Sequence, residues 1–100
     1  MSQKSRPEHI TRGSILRELD LDPQDVLELE TKAILHHELM DIIRGKKLTP
    51  RQLEKLLDVP QPRVSELMRG KMSVLSIPKL LFYASKLGAE AEIRLKRRAA

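Results

Sequence analysis

The sequence has 100 residues, of which 40% are apolar, and a formal net charge of +5. This length suits one domain with a single small core, and that core must be aliphatic because the chain has one Phe, one Tyr and no Trp. The absence of cysteine excludes a disulfide framework and a thiolate metal site. No apolar run is long enough to span a membrane, so we expect a cytoplasmic protein.

The charge is unevenly distributed along the chain. Residues 8–41 carry nine acidic and three basic side chains, whereas residues 44–71 carry eight basic and three acidic side chains. The basic half coincides with two short helices predicted below, where it would suit contact with a phosphate backbone. The simpler alternative is a solvated surface that is polarised by chance.

The first half of the chain is predicted to contain a short helix and a long one. Residues 1–12 are polar and are expected to be flexible, and residues 14–19 can form one or two helical turns. Asp22 followed by Pro23 indicates a helix start, because Asp caps a helix and Pro suits its first position. The long helix should end near Arg44, before a glycine and two lysines. Its expected apolar positions include Val26, Leu27, Ala33, Ile34, Ile42 and Ile43.

Residues 48–70 are predicted to form two short helices joined by a tight turn. Thr49 can cap the first helix, Pro50 suits its first position, and Gln52 completes a capping box. Asp58 falls at the turn, where a short polar side chain tolerates a left-handed backbone. The second helix should run from about Gln61 to Gly70. The expected apolar faces of the pair consist of Leu53, Leu56, Leu57, Val64, Leu67 and Met68.

The last third is predicted to contain one more helix and a strand. Ser76 can cap the helix, and a glycine at position 88 closes it. Residues 89–96 alternate between apolar and charged side chains, which is typical of a strand. Residues 97–100 form a short basic tail. The expected inner face of the helix consists of Leu80, Leu81, Ala84 and Leu87.

The run Gln61-Pro62-Arg63-Val64-Ser65 is the most specific signal in the sequence. With its surroundings it resembles the helix-turn-helix of the lambda-repressor/Cro-like (XRE) class, and the similarity extends more weakly over residues 13–95. The expected fold is therefore mainly α: a lambda-repressor-like helix-turn-helix bundle of about five helices with a C-terminal β-strand, occupying residues 13–96. The ungapped match comprises Thr49, Leu56, Leu57, Val59, Gln61, Pro62, Arg63, Val64, Ser65, Leu67 and Gly70.

The outward face of the second short helix is predicted to read DNA. Hydrogen-bonding and cationic side chains on a rigid helix suit the major groove, with Arg63 toward guanine and Gln61 toward adenine. Glu66 either accepts a hydrogen bond from cytosine or orients a neighbouring arginine. The alternative is an ordinary helical hairpin with a charged face. The expected DNA-binding residues are Thr49, Arg51, Gln61, Pro62, Arg63, Ser65, Glu66, Arg69 and Lys71, of which Thr49, Arg51, Arg69 and Lys71 are placed for phosphates.

Two departures from the class pattern favour a second hypothesis. Glu54 stands where the class has a small residue, so its carboxylate should swing outward to Arg51 or lie partly buried against a base such as Arg44. Pro50 lacks the phosphate-binding side chain of the usual glutamine. The second hypothesis, which the acidic first half of the chain also favours, is a helical protein-interaction module whose helix-turn-helix no longer binds DNA.

The sequence predicts no catalytic site, no cofactor and no metal site. His37 and Asp41 supply two ligands at most, because the adjacent His36 points about 100° away on a helix. The serines have no recognisable base or oxyanion partner.

The resemblance implies a homodimeric repressor that binds a palindromic operator in double-stranded DNA. The subgroup is similar to HigA-type antitoxins, which implies autoregulation and capture of a basic RelE/HigB-like ribonuclease toxin; a stand-alone or phage-derived repressor remains open. The predicted strand needs a partner, either residues around 10–15 or a second protomer. Dimerisation through that strand would bury Ala91, Ile93 and Leu95.

Overall fold

The computed structural model describes residues 22–98, and these contain four α-helices. They are α1 (Pro23–Gly45), α2 (Pro50–Leu57), α3 (Gln61–Arg69) and α4 (Ile77–Lys86). The chain divides into two compact units, residues 1–31 and residues 32–100. The flexible segment and the short helix predicted before residue 20 lie outside the described residues.

The described part of the first unit is the start of α1. Asp22 caps it: its Oδ1 accepts a hydrogen bond from the Asp25 N–H at 2.9 Å, and its carbonyl accepts one from the Val26 N–H at 3.1 Å. Pro23 occupies the first helical position, where its missing N–H costs nothing. The predicted helix start is therefore confirmed.

The second unit has one aliphatic core, which α1, α2, α3 and α4 all line. Its most deeply buried members come from different helices, with Leu53, Leu67 and Leu80 all at 0% exposure. Leu75, in the loop before α4, closes the core from outside the helices. Within residues 22–98, the buried residues are Leu39, Ile43, Leu53, Leu57, Val64, Leu67, Leu75, Leu80, Tyr83 and Leu87.

The helix-turn-helix forms as its local signals predict. The Thr49 Oγ1 accepts a hydrogen bond from the Gln52 N–H at 3.2 Å, and the Gln52 Oε1 accepts one from the Thr49 N–H at 2.8 Å. These two bonds are the predicted capping box, with Pro50 at the first helical position. Asp58 ends α2 in the left-handed region (φ 57°, ψ 48°), and Gly70 ends α3 there as well (φ 66°).

The end of α1 differs from the prediction in one detail. Gly45 remains helical, and the left-handed residue is Lys47 (φ 54°). The Leu48 N–H then donates to the Ile43 carbonyl at 3.1 Å, which satisfies a carbonyl at the helix end. The chain thus turns two residues after the glycine, at a residue that disfavours the left-handed region.

The inward face of α1 was only partly predicted. Ile43 is buried and Ile42 packs against the core, as expected, but Ile34 is 64% exposed and Leu27 is 63% exposed. The core residue that the prediction omits is Leu39, which is 2% exposed. Apolar residues lie on several sides of α1, so their spacing does not select one face.

None of the helices within residues 22–98 is long and apolar enough to cross a membrane.

The region after α3 contains α4, as predicted, but not the predicted strand. The Ser76 Oγ accepts a hydrogen bond from the Lys79 N–H at 3.1 Å and caps α4. Tyr83 is buried in the core, a position that the prediction omits, whereas Leu81 is only partly buried. Residues 89–98 adopt neither helix nor strand. The alternating pattern fits a strand, but a strand needs a second one to pair with, and residues 22–98 supply none.

Candidate nucleic-acid interface

Helix α3 combines buried apolar side chains with an exposed set of polar ones. Val64 and Leu67 are 1% and 0% exposed, while Gln61, Pro62, Arg63 and Arg69 are exposed to solvent. Ser65 and Glu66 are half-buried. The helix therefore offers an amide, two guanidinium groups and a carboxylate on one rigid element.

The other predicted contact residues surround α3 in the chain. Thr49 and Arg51 lie at the start of α2 and are exposed, and Lys71 is exposed directly after α3. The Lys71 N–H donates to the Glu66 carbonyl at 3.0 Å, which fixes the backbone of this residue to the last turn of α3. The Thr49 oxygen accepts a hydrogen bond within the capping box, and its O–H can still donate outward.

Tyr83 on α4 belongs to the same buried core as Val64 and Leu67 of α3. Burial raises the pKa of its phenol, the Arg63 guanidinium lowers it, and the Glu66 carboxylate raises it. Tyr83 is therefore a residue of the site that sequence reasoning missed, although its spacing of three residues from Leu80 matches a helical face.

Glu54 occupies the slot that the class keeps small, and it is half-buried. The prediction that this carboxylate is not fully buried is confirmed. The core leucines on either side, Leu53 and Leu57, are 0% and 1% exposed, so α2 remains packed in the core despite the larger side chain. Pro50 replaces a glutamine of the class pattern and serves as the first residue of α2.

The two adjacent histidines have different partners. The His36 Nε2 lies 2.7 Å from the Leu67 carbonyl oxygen on α3, whereas the His37 Nε2 lies 3.5 Å from the Asp41 Oδ2. Within residues 22–98 there is no group of three His, Cys, Asp or Glu side chains that could hold a metal ion. His36 thus joins α1 to α3, a role that no pattern in the sequence indicates.

The predicted dimerisation residues are exposed in the single chain. Ile93 and Leu95 are 80% and 94% exposed, and Ala91 is exposed as well. Glu92 and Arg94, which lie between them, form an ion pair within the chain, with the Arg94 Nη2 3.4 Å from the Glu92 Oε2. The structure does not bring these residues into contact with the core of the second unit.

Two short helices pack into one core, a turn at the left-handed Asp58 joins them, and the second carries exposed polar side chains; this arrangement defines a helix-turn-helix protein. The sequence matches the family model described as "Helix-turn-helix domain" over residues 16–96, and the chain belongs to this family. It is also similar to a solved structure named "Putative XRE Family Transcriptional Regulator", at 29% sequence identity and a TM-score of 0.68. The similarity covers 76% of this chain and 90% of that chain. No curated protein matches the sequence.

Tyr83 allows the environment behind α3 to be measured directly. The chain has one tyrosine and no tryptophan, so the absorbance of tyrosinate reports Tyr83 alone. We expect its pKa in the folded protein to lie above the ordinary value of 10.0, to rise further in Arg63→Ala and to fall in Glu66→Gln.

The same shift predicts a dependence of stability on alkaline pH. The folded chain holds the phenolic proton more tightly than the unfolded chain, so this contribution is present below pH 10 and is lost as the pH rises through the folded pKa. The free energy of unfolding should therefore fall more steeply above pH 10 for the wild type than for Tyr83→Phe. Parallel curves for the two proteins would contradict the assignment.

Proposed function

We propose that this chain is a sequence-specific DNA-binding transcriptional repressor that inserts α3 into the major groove. The observation that carries the proposal is the two-sided character of α3: Val64 and Leu67 anchor it in the core, while Gln61 and Arg63 are exposed. Membership of the helix-turn-helix family and the similarity to the solved XRE-family structure support a DNA-binding regulator.

Base reading is assigned to the exposed residues of α3. Arg63 has the fork geometry to donate two hydrogen bonds to guanine O6 and N7, and Gln61 matches adenine N6 and N7. Glu66 accepts from a cytosine amino group or orients a neighbouring arginine. Pro62 is the second residue of α3, where a missing N–H costs no hydrogen bond within the helix, and Ser65 follows Val64 in the middle of α3.

Phosphate contacts are assigned to residues at the borders of α2 and α3. Arg51 and Arg69 are exposed on these helices, and Lys71 is exposed in the loop two residues after the end of α3. Thr49 adds a hydroxyl donor at the start of α2. Such contacts fix the register of the protein on DNA and make binding fall as salt rises, but they carry no sequence information.

The rival proposal is a protein-interaction module that has lost DNA binding. It is favoured by Pro50 and Glu54, which depart from the class pattern. The capping box at the start of α2 and the complete burial of Leu53 argue that neither residue disturbs the packing of α2. Salt-dependent binding of the purified chain to duplex DNA separates the two, because a pure interaction module shows none.

Substitutions of Arg63 and of Lys71 are predicted to weaken DNA binding in different ways. Arg63→Ala should cost about 1–3 kcal/mol on a duplex that the wild type selects from a random pool, and it should relax the preference at one base position. Lys71→Ala should weaken the selected duplex and a scrambled one alike and reduce the salt dependence. Competitive titrations at several salt concentrations measure both effects.

Lys86→Ala is the matched control for charge. Lys86 lies on α4, with its Nζ 5.2 Å from the centre of the Phe82 ring, so its removal changes the net charge without touching α3. We expect it to leave the preference for the selected duplex unchanged. If Arg63→Ala weakens both duplexes equally, Arg63 does not read bases.

A homodimer is proposed to form through the C-terminal segment. Ile93 and Leu95 are almost fully exposed in the single chain, and pairing with the same segment of a second protomer would bury them in a two-stranded ladder. A two-fold dimer would place two copies of α3 about 34–36 Å apart, which fits a palindromic operator. Pairing with residues around 10–15 of the same chain is the alternative.

Truncation after Gly88 is the test of this interface. The full chain should sediment as a dimer, and the truncated chain should sediment as a monomer with most of its affinity for a palindromic duplex lost. The double variant Ile93→Ser with Leu95→Ser removes the apolar surface and keeps the length, and it should behave in the same way. A truncated protein that remains dimeric would place the interface elsewhere.

The resemblance to HigA-type antitoxins supports a second role, the capture of a basic ribonuclease toxin. The observation that favours it is the acidic character of α1, which carries Asp25, Glu28, Glu30, Glu38 and Asp41. Reversing Glu28 and Glu30 to Lys should slow association with such a toxin at low salt, because charge complementarity mainly accelerates encounter. Duplex affinity should be retained. Unchanged association rates would remove α1 from the toxin interface.

A further inference from the structure

Two side chains on α1, one helical turn apart, bind the backbone at the end of α3 and in the loop after it. The Lys32 Nζ donates to the Met72 carbonyl at 3.2 Å, and the His36 Nε2 lies 2.7 Å from the Leu67 carbonyl oxygen. Because a carbonyl oxygen only accepts hydrogen bonds, the Nε2 of His36 must carry the proton in this contact. Both contacts are partly buried and lie within the second unit.

The ring of His36 also packs closely against Gly70, the left-handed residue that ends α3. A Cβ atom added at Gly70 would lie 3.1 Å from the His36 Cε1 and 3.4 Å from its Nε2. The comparison is Gly88, also left-handed, where an added Cβ would meet nothing within 4 Å. Of these two left-handed glycines, only Gly70 is closely packed, and the atoms packed against it belong to His36.

The loop after α3 is held from a second side by α4. The Lys79 Nζ donates to the Val74 carbonyl at 3.1 Å, and Leu75 is buried in the core at 1% exposure. The loop backbone is therefore tied to α1 through Met72 and to α4 through Val74. Bonds between charged amines and carbonyls are stronger than bonds between neutral groups, so these ties restrict the loop.

The contacted carbonyls flank the residues to which phosphate binding is assigned. Arg69 and Lys71 lie between Leu67 and Met72 in the chain. Helix α3 has only nine residues, so its position depends on tertiary contacts rather than on its own stability. A recognition site is productive only when its supporting contacts fix it to within a fraction of an ångström.

We propose that Lys32 and His36 are positioning residues of the DNA site. They hold the end of α3 and the following loop, so that Arg69 and Lys71 meet phosphates while the start of α3 lies at the base edges. Neither residue touches a base in this scheme. The inference rests on the proposed DNA binding, and it assigns part of the sequence preference to α1.

The test compares His36→Leu, which removes the donor, with His36→Gln, whose amide N–H takes a place near that of Nε2. The probes are a duplex selected by the wild type from a random pool and a scrambled duplex of the same length. His36→Leu should weaken the selected duplex about tenfold, the worth of one ordered hydrogen bond. The scrambled duplex should weaken less, because it loses only phosphate contacts, whereas the selected duplex also loses base contacts that depend on the position of α3. His36→Gln should restore most of the preference.

His37→Leu is the matched control, because the side chain of His37 is 70% exposed and faces Asp41. It should bind both duplexes as the wild type does. Circular dichroism must show each variant folded at the temperature of the titration, so that a loss of affinity is not a loss of fold. Lys32→Met, which keeps the aliphatic stem, should also lower the preference for the selected duplex. It serves as the second variant if His36→Leu does not fold.

Failure of this inference differs from failure of the proposed function. A wild type that selects no duplex and shows no salt-dependent binding contradicts DNA binding itself. A wild type that selects a duplex, together with a folded His36→Leu that binds it equally well, overturns the positioning role alone. Equal losses in His36→Leu and His36→Gln also overturn it, because the donor would then not be the group that matters.

Discussion

The packing of α2 and α3 into one core is the constraint on which the rest of the second unit depends. These helices have eight and nine residues, lengths at which isolated helices are marginal in water. They persist because Leu53 and Leu57 of α2 and Val64 and Leu67 of α3 are withdrawn from water almost completely. Each such side chain contributes about 1.5–3 kcal/mol of burial, which offsets the loss of chain entropy in so short a segment.

The same packing explains why the polar face of α3 is available for recognition. Val64 and Leu67 hold α3 in the core, while Gln61, Arg63 and Arg69 remain exposed to solvent. Tyr83 belongs to the same core as Val64 and Leu67, and His36 contacts the end of α3 at Leu67 and Gly70. The site is thus a solvent-facing surface whose geometry is determined by buried contacts from α1 and α4.

The elements with local signals were predicted well from the sequence. The Thr49 capping box, the left-handed Asp58 and the Ser76 cap depend on residues within four positions of one another, and all three form. The face of α1 was harder, because apolar residues such as Ile34 lie on a side that the core does not use. The contact between His36 and Leu67 joins residues 31 positions apart, and no spacing rule indicates such a pair. The strand predicted at residues 89–96 does not form within the described single chain, because an alternating pattern is compatible with a strand but does not supply a partner strand.

The central claim is that the exposed face of α3 is the surface that meets DNA. Its most direct test is the change in amide chemical shifts when the labelled chain is titrated with a duplex that it has selected. The account predicts that the largest changes cluster at residues 61–69, with further changes at residues 49–52 and at Lys71, while Phe82 on the outer face of α4 stays unchanged. Changes that centre on α4 or on residues 89–98 and leave α3 unaffected would contradict it.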